Sequence, residues 1–118
     1  MGLKLKNVAR GNLAAPLSTG DTMVRLRTGQ GALFPQPTEA GDWFPLVLAN
    51  EDGAIEITKA TTRIGDTVLV ERGQEGTKQI EAVAGDPVYL ALTVAALQEL
   101  LGAAGPLAIT ISDTDVTA

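Results

Sequence analysis

Three apolar runs between Gly41 and Thr77 set the pattern of the chain, and each is closed by a turn signal. Residues 43–49 stop at Asn50-Glu51-Asp52-Gly53. Residues 54–60 follow at once, with Ile55 and Ile57 on one face and Glu56 and Thr58 on the other. Residues 67–72 come after Ile64-Gly65-Asp66 and end at Gly73. Short runs rich in Val, Ile and Thr between Gly, Asp and Asn clusters predict strands of an antiparallel meander.

The same alternation extends both ways. Over 21–28, Val24 and Leu26 face one side and Met23, Arg25 and Arg27 the other. Pro35 and Pro37 make 32–37 a rigid loop, from which Leu33 and Phe34 are expected to plug the core. In 43–49, Phe44, Leu46 and Leu48 share one face; Trp43, Pro45 and Val47 share the other. Pro45 cannot donate to a ladder, so this strand is expected at an edge, or to begin at Leu46. Residues 88–92 read as a strand with Val88, Leu90 and Leu92 inward and Tyr89 outward. Thr93 then N-caps a helix over 94–101. Val94, Leu97 and Leu101 form its apolar stripe, widened by Leu100, and Gly102 stands at its C-cap. Residues 107–111 alternate again and predict a last strand. Phe34, Phe44, Leu46, Ile57, Leu69 and Leu90 are expected in one core.

This pattern predicts a mainly β fold: a compact antiparallel β-sandwich or partly open barrel with one short capping helix. Residues 21–111 form its single domain. Residues 1–20 have no sustained period and are broken by Gly11, Pro16 and Gly20, so they read as an extended N-terminal arm. Residues 112–118 read as an acidic tail.

Composition narrows the chemistry. The 118 residues include no cysteine and no histidine. That removes any thiolate, the commonest general base and the commonest zinc ligand. No catalytic residue, cofactor or metal is expected. The net charge is −5, unevenly placed. Lys4, Lys6, Arg10, Arg25 and Arg27 stand in the first 27 residues against Asp21 alone, while the acids crowd the remainder. Lys4, Lys6 and Arg10 on the arm, and Asp113 and Asp115 on the tail, are therefore the candidate interaction residues. Without interleaved aromatics the basic arm is not expected to bind nucleic acid. No apolar run is long enough for a membrane span, and the short, polar, cationic stretch 1–10, with no apolar region after it, is not expected to act as a signal peptide. Arg72-Gly73-Gln74-Glu75-Gly76 lacks the spacing of a phosphate-binding loop, so Gly73 and Gly76 read as structural turn glycines with positive φ.

Several elements occur together and in order. They are Gly31-Ala32-Leu33-Phe34-Pro35, Gly41-Asp42-Trp43-Phe44-Pro45-Leu46, Glu56-Ile57-Thr58-Lys59-Ala60-Thr61, Gly65 to Thr77 with its Arg72-Gly73-Gln74-Glu75-Gly76-Thr77 run, Ala84-Gly85-Asp86, and Leu92 to Leu97. Over about residues 20 to 101 the chain resembles a small domain of tailed-bacteriophage virion proteins. That domain stands at the N-terminus of fibre or tail proteins, or alone as a short structural protein. The resemblance implies a non-enzymatic module of the virion, made in the host cytoplasm. Its implied partners are itself, as a homo-oligomer with a trimer as the first expectation, and other capsid or tail proteins. After the helix a fibre would continue into repeats, while here only residues 102–118 remain, so a stand-alone decoration or adaptor role is expected rather than receptor binding, with a capsid decoration or fibre-anchoring module the first expectation. A tail-fibre or baseplate adaptor is the alternative within this class, and a small ligand-binding β-domain outside a virion is the alternative outside it.

Overall fold

The computed structural model describes residues 2–4, 6 and 9–104. Seven strands and one helix follow in the order β1 (Gly2–Leu3), β2 (Arg10–Asn12), β3 (Met23–Arg25), β4 (Asp42–Ala49), β5 (Ile55–Ile64), β6 (Thr67–Gln74), β7 (Pro87–Tyr89) and α1 (Val94–Ala104). A 3-10 turn, Gln30–Leu33, sits between β3 and β4. The fold is mainly β, as the alternation predicts: six antiparallel strands make one curled half-barrel sheet, in the order β2-β7-β4-β5-β6-β3. β1 adds to β4 in parallel. The curl brings the two outer strands together. Leu13 bridges Leu26, Arg27 N–H donates to the Asn12 carbonyl, and Ala14 N–H donates to the Arg25 carbonyl.

The segment read as an extended N-terminal arm lies on its own body where residues 9–17 are described. Arg10–Asn12 pairs with Pro87–Tyr89, Leu17 bridges Ala82, and Ala9, Leu13 and Leu17 are buried. The glycines and prolines that break a helix here also let the chain run in short strand pieces across a curved sheet.

β4 is the centre of the sheet rather than an edge. β5 lies along one side, and β7 and β1 along the other. β7 reaches Val47 and Leu48, and β1 reaches Asp42 and Trp43. Pro45 falls between these two stretches, where its missing N–H costs no ladder bond. Every residue from Asp42 to Leu48 is buried, the mark of a strand covered on both faces. The core gathers on the inner face, where Phe44, Leu46 and Leu48 meet Val24, Leu26, Val68, Val70 and Val88. Phe34 closes it by stacking on Phe44, ring centroids 6.1 Å apart. Leu90 packs against this cluster.

Other face assignments are reversed. In β5 the inward residues are Glu56, Thr58 and Ala60; Ile55 is exposed and Ile57 half-buried on the outer face. The β4–β5 register pairs Leu46 with Thr58 and Leu48 with Glu56, and Thr58 Oγ1 donates to the Leu46 carbonyl at 2.7 Å. In β6, Val68 and Val70 point inward and Leu69 outward. Leu33 and Leu92 are largely exposed instead of plugging the core. Gly102 lies inside α1, which runs on to Ala104. The strand read at 107–111 and the tail at 112–118 lie outside the described residues.

Candidate interaction surface

The three basic residues singled out on the N-terminal segment engage separate parts of the body. Lys4 Nζ stands 3.7 Å from the Asp42 carboxylate at the start of β4. Lys6 Nζ donates to the Ala32 carbonyl in the 3-10 turn at 2.6 Å. Arg10 is exposed on β2, opposite Tyr89 of β7. Each thus has a different neighbour on the body. Asp113 and Asp115 lie outside the described residues. Burial would raise the Asp42 carboxyl, but the Glu39 and Thr38 amides and Lys4 outweigh it and hold the group below its ordinary value.

The Arg72-Gly73-Gln74-Glu75-Gly76-Thr77 run ends β6 and forms the best-built polar constellation among the described residues. Gly73, Glu75 and Gly76 all adopt positive φ, at 61°, 55° and 80°. Thr77 Oγ1 accepts from the Ile57 amide and donates to the Gln74 carbonyl. Arg72 points into the sheet toward Glu56, and both side chains are almost fully buried. Its Nε and Nη2 grip the two carboxylate oxygens, each at 2.8 Å. Nη1 donates to the Ser18 and Asp21 carbonyls, and Nη2 donates also to the Ile80 carbonyl. All five guanidinium donors are thus used. Glu56 additionally accepts from the Gly73 amide at 2.7 Å and the Ile80 amide at 2.9 Å. Burial would raise this carboxyl; the Arg72 hydrogen bonds and the two amides outweigh it and hold it below its ordinary value. A constellation with no open donor or acceptor ties β5, β6, residues 18–21 and Ile80 together, and it has no capacity left for a ligand. Sequence reasoning placed Glu56 on the solvent face and missed this pair. The only signal was the unbalanced strand itself, where the inward positions of β5 are small or polar.

Helix α1 is docked by polar contacts. Thr93 Oγ1 accepts from the Ala96 amide at 3.2 Å, the N-cap that the sequence indicates. Glu75, held in its left-handed turn, accepts from the Ala95 amide at 2.9 Å. Glu99 accepts from Trp43 Nε1 at 2.9 Å and from the Leu3 amide at 2.8 Å. Lys59 covers the Trp43 ring, 5.5 Å from its centroid. The docked face therefore centres on Ala96 and Glu99. Val94, Leu97 and Leu101 lie across the helix axis from it. Val94 is 67% exposed, with Leu92 and Leu100 exposed beside the stripe and Leu97 and Leu101 half-buried. A shallow groove of about 630 Å³ borders this face, between Ile57 on β5 and Leu92, Val94 and Gln98. This apolar surface is the feature of the described residues best suited to contact another molecule. No protein-family model matches the chain, and no curated protein matches it.

Proposed function

We propose that this protein is a non-enzymatic structural component of a tailed-phage virion, a capsid decoration or fibre-anchoring module that binds the particle as an oligomer. The observation that carries the reading is the ordered set of elements from Gly31 to Leu97, and what those residues do in the fold is consistent with it. Phe34 and Phe44 stack in the core. Gly31 packs against the backbone at Gly65. Arg72 and Gly73 complete the buried Glu56 constellation. The residues of the resemblance are spent on holding one rigid shape, which suits a module whose task is to be positioned and to position others. Attachment by a swapped N-terminal arm fits less well, since the described part of that segment pairs within its own sheet. The reading therefore places the contacts on the folded body and its helix.

The test is immunogold labelling and peptide mass spectrometry of purified particles from the host that expresses the gene. The expected result is stoichiometric protein and label at a fixed place on the particle. Label on the head supports decoration; label on the tail supports the fibre or baseplate adaptor. Particles devoid of the polypeptide overturn the reading.

A further inference from the structure

Three arginines gather on the outer face where the curled sheet closes on itself. In and just after β3, Val24 and Leu26 are buried while Arg25 and Arg27 are exposed, about 7 Å apart along the chain. Arg27 N–H donates to the Asn12 carbonyl, so Arg27 stands opposite Asn12. Arg10 lies two residues from Asn12 on β2 and so on the same face. The Arg27 guanidinium reaches over β2 to Gly85, where a β-carbon would stand 3.3 Å from Nη2. Among the described residues, none of the three side chains has an ion pair or a hydrogen bond. Like charges at neighbouring positions of a sheet repel, so this face lacks its counter-charge.

An acidic cluster lies beside it. Glu51 and Asp52 in the β4–β5 turn, and Glu81, are exposed around a shallow groove of about 330 Å³ that no cation lines. Their carboxylates too are unpaired. Pro16 borders both this groove and the one beside Arg25, and Val83 and Asp86, on either side of Gly85, line the acidic groove. Asp21 stands in the groove beside Arg25, but its carboxylate accepts from the Ser18 amide. None of the six charged residues lies on α1 or lines the groove beside it. Cationic and anionic halves that adjoin without pairing are self-complementary, because a two-fold rotation sets each half against the opposite half of a second molecule. We infer that Arg10, Arg25 and Arg27 of one copy dock on Glu51, Asp52 and Glu81 of a second copy, and reciprocally, in a two-fold dimer. This deepens the oligomeric part of the proposed function and rests on it, with a dimer in place of the trimer first expected.

A second copy fits this face better than other anionic partners. A purely acidic protein would satisfy the arginines and leave the Glu51–Asp52–Glu81 half facing like charge. The phosphates of a nucleic acid would run from the arginines onto the same carboxylates, and Phe34, Trp43 and Phe44 are buried where bases cannot stack on them. A second copy supplies the opposite charge to both halves. The net −5 of each chain acts between whole molecules and is screened at physiological salt, where the Debye length is about 8 Å; charges brought into contact are screened far less. Exposed ion pairs add little singly, so the association of the free protein is weak and depends on salt.

Sedimentation equilibrium of the full chain over a wide concentration range, at about 0.15 M and about 1 M salt, tests this. The unaltered protein should approach the mass of a dimer with concentration at the lower salt and lose that gain at the higher. Arg25→Glu combined with Arg27→Glu should weaken association at least about tenfold. Glu51→Lys combined with Asp52→Lys should weaken it as well, although it removes most of the net negative charge that keeps whole molecules apart. An equimolar mixture of the two variants should associate again, since each then offers the charge that the other lacks. All four positions are exposed, so thermal midpoints should stay close to that of the unaltered protein. A protein that is monomeric at every concentration overturns the inference. So does association that resists high salt, that either variant leaves intact, or that the mixture fails to restore. Should a variant fail to fold, the salt dependence of the unaltered protein decides. Only purified protein is used, so failure here leaves the particle-labelling test of the virion reading independent.

Discussion

Gly31 lies so close to Gly65 that a β-carbon built on it would stand 2.0 Å from the Gly65 carbonyl oxygen. The approach is locked from the other side, since Gly31 N–H donates to Asp66 Oδ1 at 2.8 Å and Gly29 N–H to Asp66 Oδ2 at 3.1 Å. Gly31→Ala must push the 3-10 turn off the β5–β6 hairpin. A cost of about 2–3 kcal/mol in chemical denaturation is expected. Gly53→Ala, at a turn with open space around it, should cost only the left-handed strain of about 1 kcal/mol. Equal costs would refute the packing argument.

The Glu56–Arg72 pair should behave as one unit. Arg72→Met leaves a buried carboxylate without its main partner, and Glu56→Gln leaves the guanidinium without its counter-charge. Each should cost about 3–5 kcal/mol. The double variant should cost clearly less than the two together, because no isolated buried charge remains. A double-mutant cycle by urea unfolding measures this, and strict additivity would count against it.

Acid should weaken the fold through the same carboxylate. Glu56 in the folded protein titrates below its ordinary value, as do Asp42 and Asp66, the last because the Gly31 and Gly29 amides bond it. A lowered folded value means that the unfolded chain takes up protons first as pH falls. The stabilisation is complete above the ordinary carboxylate range of about 4 and is lost as pH drops below it. Thermal midpoints should be flat near neutrality and decline below about pH 4. The decline should be shallower in Glu56→Gln, which has one fewer carboxylate to titrate.

Core truncations should separate the two faces of the sheet. Phe44→Ala removes a fully buried ring stacked on Phe34, at an expected cost of about 3–5 kcal/mol. Ile57→Ala and Leu69→Ala touch half-buried outer positions and should cost about 1–2 kcal/mol. Thermal or urea unfolding of the three variants tests the order.

The strands and the helix were legible because alternation and capping are local signals. Residues 43–49, the turn at Asn50 and the Thr93 cap lie where those signals put them. Face assignment failed in β5 because hydrophobicity names the wrong side when a buried ion pair occupies the right one. Ile55 and Ile57 outweigh Glu56 in any count of apolar character, and nothing local reveals that Arg72 waits across the hairpin. The strands of the N-terminal segment were not legible for a related reason. Its strands are two and three residues long, too short to show a period, and their partners lie far along the chain. For the candidate surface, sequence found the stripe on α1 but not its direction, because Glu99 rather than leucine anchors the helix to Trp43.

The pairing of Arg10–Asn12 with Pro87–Tyr89 joins segments separated by most of the chain. Such a contact closes a very large loop, and its entropic cost falls due before any of its bonds form. The β4–β5–β6 meander needs only its own neighbouring turns. As the polypeptide is synthesised, the meander can form while β2, made well before it, still lacks its β7 partner. The strand made second in the chain thus completes its ladder only after β7 has arrived, whereas its bonds to Arg25 and Arg27 close a far shorter loop.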